Sequence, residues 1–307
     1  MVRFSVGLPV EQPHRFEELC SGEAMAELAR AAEDIGYDAV SVTDHPFPPD
    51  RWLASGGHHS YDPLVVLAFV AAATRTIRLQ TNVLVTGYRN AFLSAKGVSS
   101  LDALSNGRVI LGLAAGYLQE EYAALGAEFE GRNERLDETI QAMRAAWTGE
   151  TVSFDGATVR AHGHTMSPPP VQSGGPPIWI GGNSTRAIRR AVEFGDGWLP
   201  FPLPSGASRY TRTADINDME DLRRRIDLAR DLSVEHGRTK PLEICFVPFE
   251  LSVFGTTEPD YRQLGESVAE LSDAGVTWLS ITLPATTRRG YLEQLESLAE
   301  HVIGTGA

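Results

Sequence analysis

An acid and an imidazole stand side by side at Asp44-His45, directly after the apolar run Ala39-Val40-Ser41-Val42-Thr43. Histidine gives or takes a proton near neutral pH, and an adjacent carboxylate can orient the ring or contact a ligand. A second pattern is Gly181-Gly182-Asn183-Ser184-Thr185, where a strand runs through a small-residue turn into a helix. Free N–H groups and the positive end of the helix dipole suit a phosphate there. An ordinary tight turn with Ser184 as N-cap has the same composition. Arg186, Arg189 and Arg190 follow on that helix and either hold more negative charge or face solvent. Thr81-Asn82-Val83 interrupts an apolar strand with a polar pair, as the wall of a planar-ligand site or as a satisfied strand edge. Ala114-Ala115-Gly116-Tyr117 places small residues and then a phenol after another strand. Tyr117 there serves as a site wall, a proton donor or a cap on the core.

The elements that must position these residues alternate between two periods. Strand runs are read at 4–8, 39–43, 77–85, 109–113, 177–180, 197–200, 242–247 and 278–282. Most are followed by apolar residues at helical spacing, such as Met25, Leu28, Ala29, Ala32 and Ile35, or Leu136, Ile140, Met143 and Trp147. Gly36 marks a helix end, and Asp62-Pro63 an N-cap with proline in the first turn. Eight parallel, buried strand–helix units imply a TIM (β/α)8 barrel, with the chemistry at the C-terminal ends of the strands. A doubly wound sheet is the second choice, but no Gly-x-Gly-x-x-Gly follows the first strand. The whole chain is expected to be a single barrel domain carrying insertions at its C-terminal face. These are a Pro/Gly/His-rich loop over 46–60, a hairpin and Pro-rich segment over 150–176, and a polar stretch over 200–217 that could act as a mobile flap. The hairpin is read as Thr151–Phe154 and Ala157–Val159 around an Asp155-Gly156 turn.

Composition narrows the function. The 27 basic against 40 acidic residues give a net charge of −13, which argues against nucleic acid or an anionic membrane as partner. No apolar run approaches the roughly 20 residues that span a bilayer, and the N-terminus has no signal-peptide pattern. Cys20 and Cys245 form no metal or redox spacing, so a cytoplasmic protein is expected. His58-His59 and His162-x-His164 are the places to look for a metal, but the first strand ends Gly7-Leu8-Pro9 without a ligand, and no metal site is expected. Lys96 and Lys240 are the only lysines, and neither is placed for Schiff-base chemistry.

Taken together, several motifs resemble a known family. They are Thr43-Asp44-His45, Thr81-Asn82-Val83, Leu101-Asp102-x-Leu104-Ser105-x-Gly107-Arg108, Gly116-Tyr117-x-x-Glu120-Glu121-Tyr122-x-x-Leu125-Gly126, Ile178-Trp179-Ile180-Gly181-Gly182 and Gly195-Asp196-Gly197-Trp198. The chain resembles the luciferase-like monooxygenase superfamily, most nearly its branch dependent on the deazaflavin coenzyme F420. That resemblance implies a flavin or deazaflavin at the barrel mouth, a non-proline cis peptide at Asn82-Val83 behind the ring, and a homodimer. It implies hydride transfer to or from a small organic substrate. His45 would be the proton-transfer residue and Tyr117 a weaker candidate for a second. Asp44 would orient His45 or contact the coenzyme, and Thr81, Asn82, Val83, Ala115, Gly116 and the 181–185 turn would hold the coenzyme. In the sugar-phosphate dehydrogenases of that branch a glutamate follows the fourth strand. Tyr117 occupies that position here, and the substrate-phosphate lysines have no match, so sugar-phosphate oxidation is not expected. Two alternatives remain: a monooxygenase using FMN and a separate reductase, and a non-catalytic flavin-binding barrel.

Overall fold

Short runs of Val, Ile and Leu, buried along nearly their whole length, make the strands of a closed parallel barrel. Burial on both sides follows from helices outside and packed side chains within. The computed structural model describes residues 2–203, 208–251 and 260–303. In chain order its first half holds β1 (Arg3–Gly7), α1 (Gly22–Ile35), β2 (Ala39–Val42), α2 (Asp50–Ala54), α3 (Pro63–Ala73), β3 (Arg78–Val85), α4 (Ala91–Leu104), β4 (Val109–Ala114), α5 (Gln119–Ala124) and α6 (Arg132–Ala146). The second half holds β5 (Val152–Asp155), β6 (Arg160–His164), β7 (Ile178–Gly181), α7 (Thr185–Phe194), β8 (Gly197–Leu199), α8 (Ser208–Thr211), α9 (Met219–Glu235), β9 (Glu243–Phe246), α10 (Tyr261–Ala274), β10 (Trp278–Thr282) and α11 (Arg288–Leu298). Around the barrel the order is β1-β2-β3-β4-β7-β8-β9-β10, with β10 closing on β1. All eight barrel strands lie where the apolar runs predict them.

Helix ends follow the local chemistry. Ser21 caps α1 through the Ala24 N–H, and the helix stops at Gly36 with φ of 106°. Asp62 accepts from the Leu64 and Val65 N–H groups at the start of α3, with Pro63 at its first position. The β3–β4 register shifts between Thr81 and Leu84, so β3 bulges where its polar pair stands, and the Asn82-Val83 peptide is cis. Among the described residues no helix is long and apolar enough to cross a membrane.

Two expectations need correction. The 150–176 insertion does not lie at the C-terminal face. It joins the end of α6 to the start of β7, and such a connection emerges at the opposite end of the barrel. Gln172 there bonds Asp102 and the Val109 carbonyl at the start of β4, and the hairpin lies along the outer flank, with Phe154 on Phe92 and the Thr158 and Val159 N–H groups on Glu138. The hairpin itself is longer than an Asp-Gly turn predicts. Its second strand is Arg160–His164, with Asp155 opposite Arg160, because Glu138 gathers the 158–159 amides into a wider turn. The 200–217 stretch is tied down over its described residues: Leu203 and Ile216 are fully buried and bridge to each other. Residues 204–207 of that stretch fall outside the described residues.

Candidate active site

His45 leaves the C-terminal end of β2 and points its Nδ1 at a carboxylate that the sequence reading missed. Glu121 of α5 stands 3.2 Å away. Its other contacts are the Phe47 N–H at 2.9 Å and the Tyr88 hydroxyl at 2.7 Å, both donating to it. Glu121 is 0% exposed and His45 8%, so the pair is withdrawn from water. Burial alone would raise the Glu121 carboxyl. Hydrogen bonds from His45, Tyr88 and Phe47 outweigh it and hold the group below its ordinary value. An ionised Glu121 fixes Nδ1 as the donor, which leaves Nε2 as the ring's acceptor. Among the described residues Nε2 has no partner.

Asp44 does not orient His45. Its carboxylate is 1% exposed, and it accepts two N–H bonds from the Arg89 guanidinium, at 2.6 and 3.0 Å, and a third from the Val85 N–H at 2.9 Å. Arg89 also bonds Asp62, the N-cap of α3. Burial disfavours charge at both partners. It pushes the Asp44 carboxyl up, while the two carboxylates around Arg89 hold its guanidinium above the ordinary value. Asp44 therefore locks the end of β3 to the end of β2.

Aromatic rings enclose the imidazole. Trp52 of α2 lies with its centroid 4.5 Å away, His58 at 5.0 Å and Tyr117 at 6.0 Å. The 46–60 loop thus folds over His45, and His58 serves as packing there. Burial, and then the charge of Glu121, push the Tyr117 phenol up to about 12, so it keeps its proton at neutral pH. His162, the other metal suggestion, bonds Asp155 and Ser153 within the hairpin. Among the described residues no three His, Cys, Asp or Glu side chains gather as a metal site.

The remaining candidates divide. Asn82 and Val83 stay half-buried at the bulge, with the Asn82 amide donating to Ser280 Oγ at 2.9 Å. Beside Asn82 a cavity is lined by Gly7, Ser41, Thr43 and Thr282 at the strand ends. Thr81 is excluded as a ligand contact, because its side chain is fully buried and its hydroxyl donates to the Gly112 carbonyl at 2.8 Å. Ala115 and Gly116 line the turn after β4, and Gly116 has a φ of 68°. Its carbonyl takes the Arg132 Nε bond, while the Ala115 carbonyl takes the Tyr122 hydroxyl.

At the 181–185 turn, Gly182 has a φ of 118°, and Ser184 caps α7 through the Ala187 N–H. The Gly182 N–H goes to the Leu199 carbonyl and the Asn183 N–H to Thr213 Oγ1. That leaves the Ser184 and Thr185 N–H groups without a partner among the described residues, at a helix N-terminus suited to an anion. The Asn183 side chain is not free for a ligand. Fully buried, it donates to the Phe201 and Ala214 carbonyls, each at 2.9 Å, and accepts the Phe201 N–H at 3.0 Å. Arg186 and Arg190 face α6, on Glu134 and Asp137 respectively, and Arg189 is exposed to solvent.

A family model for luciferase-like monooxygenases matches residues 2–238. An F420-dependent glucose-6-phosphate dehydrogenase of Nocardia farcinica is 29% identical over 311 residues, covering 88% of this chain and 90% of the relative. Among solved structures, the monooxygenase RslO1 of Streptomyces bottropensis superposes with a TM-score of 0.76 at 22% identity, over 99% of this chain and all of that one. An F420-dependent secondary alcohol dehydrogenase superposes with a TM-score of 0.74 at 15% identity, over 98% of each chain.

Proposed function

This chain belongs to the luciferase-like monooxygenase family, and from that premise we propose that it is an oxidoreductase using the deazaflavin coenzyme F420, on a neutral alcohol or its carbonyl product. When bound, the coenzyme supplies the hydride acceptor or donor. The residues present suit it: unpartnered amides at Ser184 and Thr185 for its phosphodiester, and a wall of Ala115, Gly116, Gly181 and Gly182 for its ring. Asn82 and Val83 back the ring from the bulge. His45 Nε2 takes the hydroxyl proton as the alcohol is oxidised, and Glu121 stabilises the imidazolium that results. Tyr117 remains protonated and donates a hydrogen bond to the substrate oxygen. Trp52 and His58 cover the imidazole from the substrate side, and their apolar faces exclude water.

The buried His45–Glu121 pair, flanked among the described residues by arginines already held in ion pairs, carries this reading. Arg51 and Arg89, which flank the pair, are each held in ion pairs, with Glu120 and with Asp44 and Asp62. Lys96 reaches the Ser167 carbonyl from α4. The residues 204–207 and 252–259 contain no Lys or Arg. A phosphorylated substrate would thus meet the Glu121 charge with Arg51 and Arg89 already committed to other carboxylates. Titration of the protein with F420 and with FMN, followed by hydride-transfer assays on secondary alcohols and on glucose 6-phosphate, tests the assignment. Quenching of deazaflavin fluorescence and turnover of a neutral alcohol are expected. Response to FMN alone, with oxygen consumption, would replace it by the monooxygenase reading and its separate reductase.

The protein is further proposed to be a homodimer. α3 reads Pro63-Leu-Val-Val-Leu-Ala-Phe-Val-Ala-Ala-Ala73 with no polar residue, yet Val65 is 68% and Phe69 49% exposed. A helix apolar all round is normally covered all round. A mass in solution of one chain would exclude this. Cys20 and Cys245 are both free and buried, which suits a reducing compartment such as the cytoplasm.

A further inference from the structure

Two guanidinium groups flank one buried phenyl ring at the rim between β4 and β7. The Phe129 ring has Arg132 Cζ 3.9 Å from its centroid and Arg212 Cζ 4.7 Å from it. Arg132 spends its Nε on the Gly116 carbonyl. Neither residue has a carboxylate partner among the described residues, whereas the neighbouring Arg186 and Arg190 both do. Burial, and then the charge of Arg212, hold the Arg132 guanidinium below its ordinary value, as expected of like charges brought together. Two arginines kept close without an acid between them leave donors in place for an anion.

The location ties this pair to the anion-binding turn. Arg212 immediately precedes Thr213, whose hydroxyl takes the Asn183 N–H at 2.8 Å. Arg132 opens α6, and Glu134 in the same first turn meets Arg186 in the first turn of α7 at 2.8 Å. The N-termini of α6 and α7 therefore lie side by side, and their dipoles reinforce both guanidinium groups. Arg212 lies two residues before Ala214, whose carbonyl takes the Asn183 amide at 2.9 Å.

We infer that Arg132 and Arg212 form a second anion site, next to the one at Ser184 and Thr185, that takes carboxylates on the coenzyme's side chain beyond its phosphodiester. This rests on the F420 assignment above. FMN, which ends at a single phosphate, would use the turn and leave the arginines unused. The site thus favours a coenzyme with an extended, multiply charged tail.

Fluorescence titration of the full-length protein separates the possibilities. The probes are intact F420, F420 trimmed of its glutamyl residues, and the deazaflavin riboside that lacks phosphate and tail. Arg212→Gln is expected to weaken intact F420 on the order of tenfold, with both shorter forms shifting less than about twofold. Arg212→Lys, which keeps the charge, is expected to retain most of the affinity. Added salt should weaken intact F420 more in the wild type than in Arg212→Gln. Equal losses for intact and trimmed coenzyme, or no loss for either, would overturn the second site while leaving the F420 assignment standing. A wild-type protein that binds none of the three would overturn both.

Discussion

Glu121→Gln isolates the contribution of the buried carboxylate because it keeps the side-chain volume and removes only a charge and an acceptor. In the native protein three donors converge on it, from His45, Phe47 and Tyr88. The amide oxygen can keep the Phe47 N–H. The amide nitrogen then occupies the place of Oε2 and must donate, so it turns His45 Nδ1 into an acceptor and moves the ring proton to Nε2. Nε2 is the atom proposed to receive the substrate proton, and in the variant it is already protonated. Loss of one charge-assisted bond to the imidazolium is about 2–3 kcal/mol. Each 1.36 kcal/mol is about tenfold in rate, so hydride transfer should slow on the order of a hundredfold. Stopped-flow single-turnover reduction of saturating coenzyme by the best neutral alcohol measures this, and fluorescence titration checks that coenzyme Kd stays within about twofold. Nitrogen NMR of His45 reads the tautomer directly. A variant within about threefold of the wild-type rate, with an unchanged pH profile and Nδ1 still protonated, would refute the dyad.

Three further outcomes are expected. Arg89→Met strands the buried Asp44 carboxylate and also loosens the cap of α3, so urea denaturation should show a loss of about 3–5 kcal/mol. Gly116→Ala meets both a φ of 68° and Val85 Cγ1 at 2.6 Å from the new methyl. It should lower unfolding free energy by about 2 kcal/mol, with calorimetry as the check. Glu33 accepts N–H bonds from Arg75, Thr76 and Ile77, and these outweigh burial to hold its carboxyl at about 2, against 4.5 for the free group. A depressed folded value gives stability that is present above about pH 4.5 and lost as pH falls toward 2, so Glu33→Gln should flatten the acid side of the stability profile measured by urea titration between about pH 6 and 3.

The barrel is legible in the sequence because buried parallel strands are written as apolar runs, and their helices carry separate stops such as Gly36 and starts such as Asp62-Pro63. His45 is legible for the same reason: the end of a barrel strand is a defined place. Its partner is not. Glu120 and Glu121 are adjacent and chemically alike, and only the turn of a six-residue helix sends Glu121 inward to 0% exposure and leaves Glu120 outside on Arg51. Asp44 shows the converse. Adjacency to His45 suggests a direct bond, but successive side chains leaving a strand diverge, and Asp44 instead finds Arg89, 45 residues later. Asn183 and Thr81 have ligand-like side chains whose hydrogen bonds are absorbed by distant backbone, which spacing alone does not reveal. For the 150–176 hairpin, composition says only insertion, and the connectivity from α6 to β7 says which rim it occupies.

The Asn183 amide has a consequence for anyone who would alter this enzyme's preferences by exchanging loops. One planar group stitches the strand-to-helix bend to both shores of the following excursion, at Phe201 and Ala214. A graft cut between those shores would arrive without its fastening and would unsettle the bend as well. The natural unit of exchange therefore runs from Gly181 through Ile216, and under the proposed binding mode the grip on the guest's tail and the footing of its phosphate should change hands together rather than one at a time.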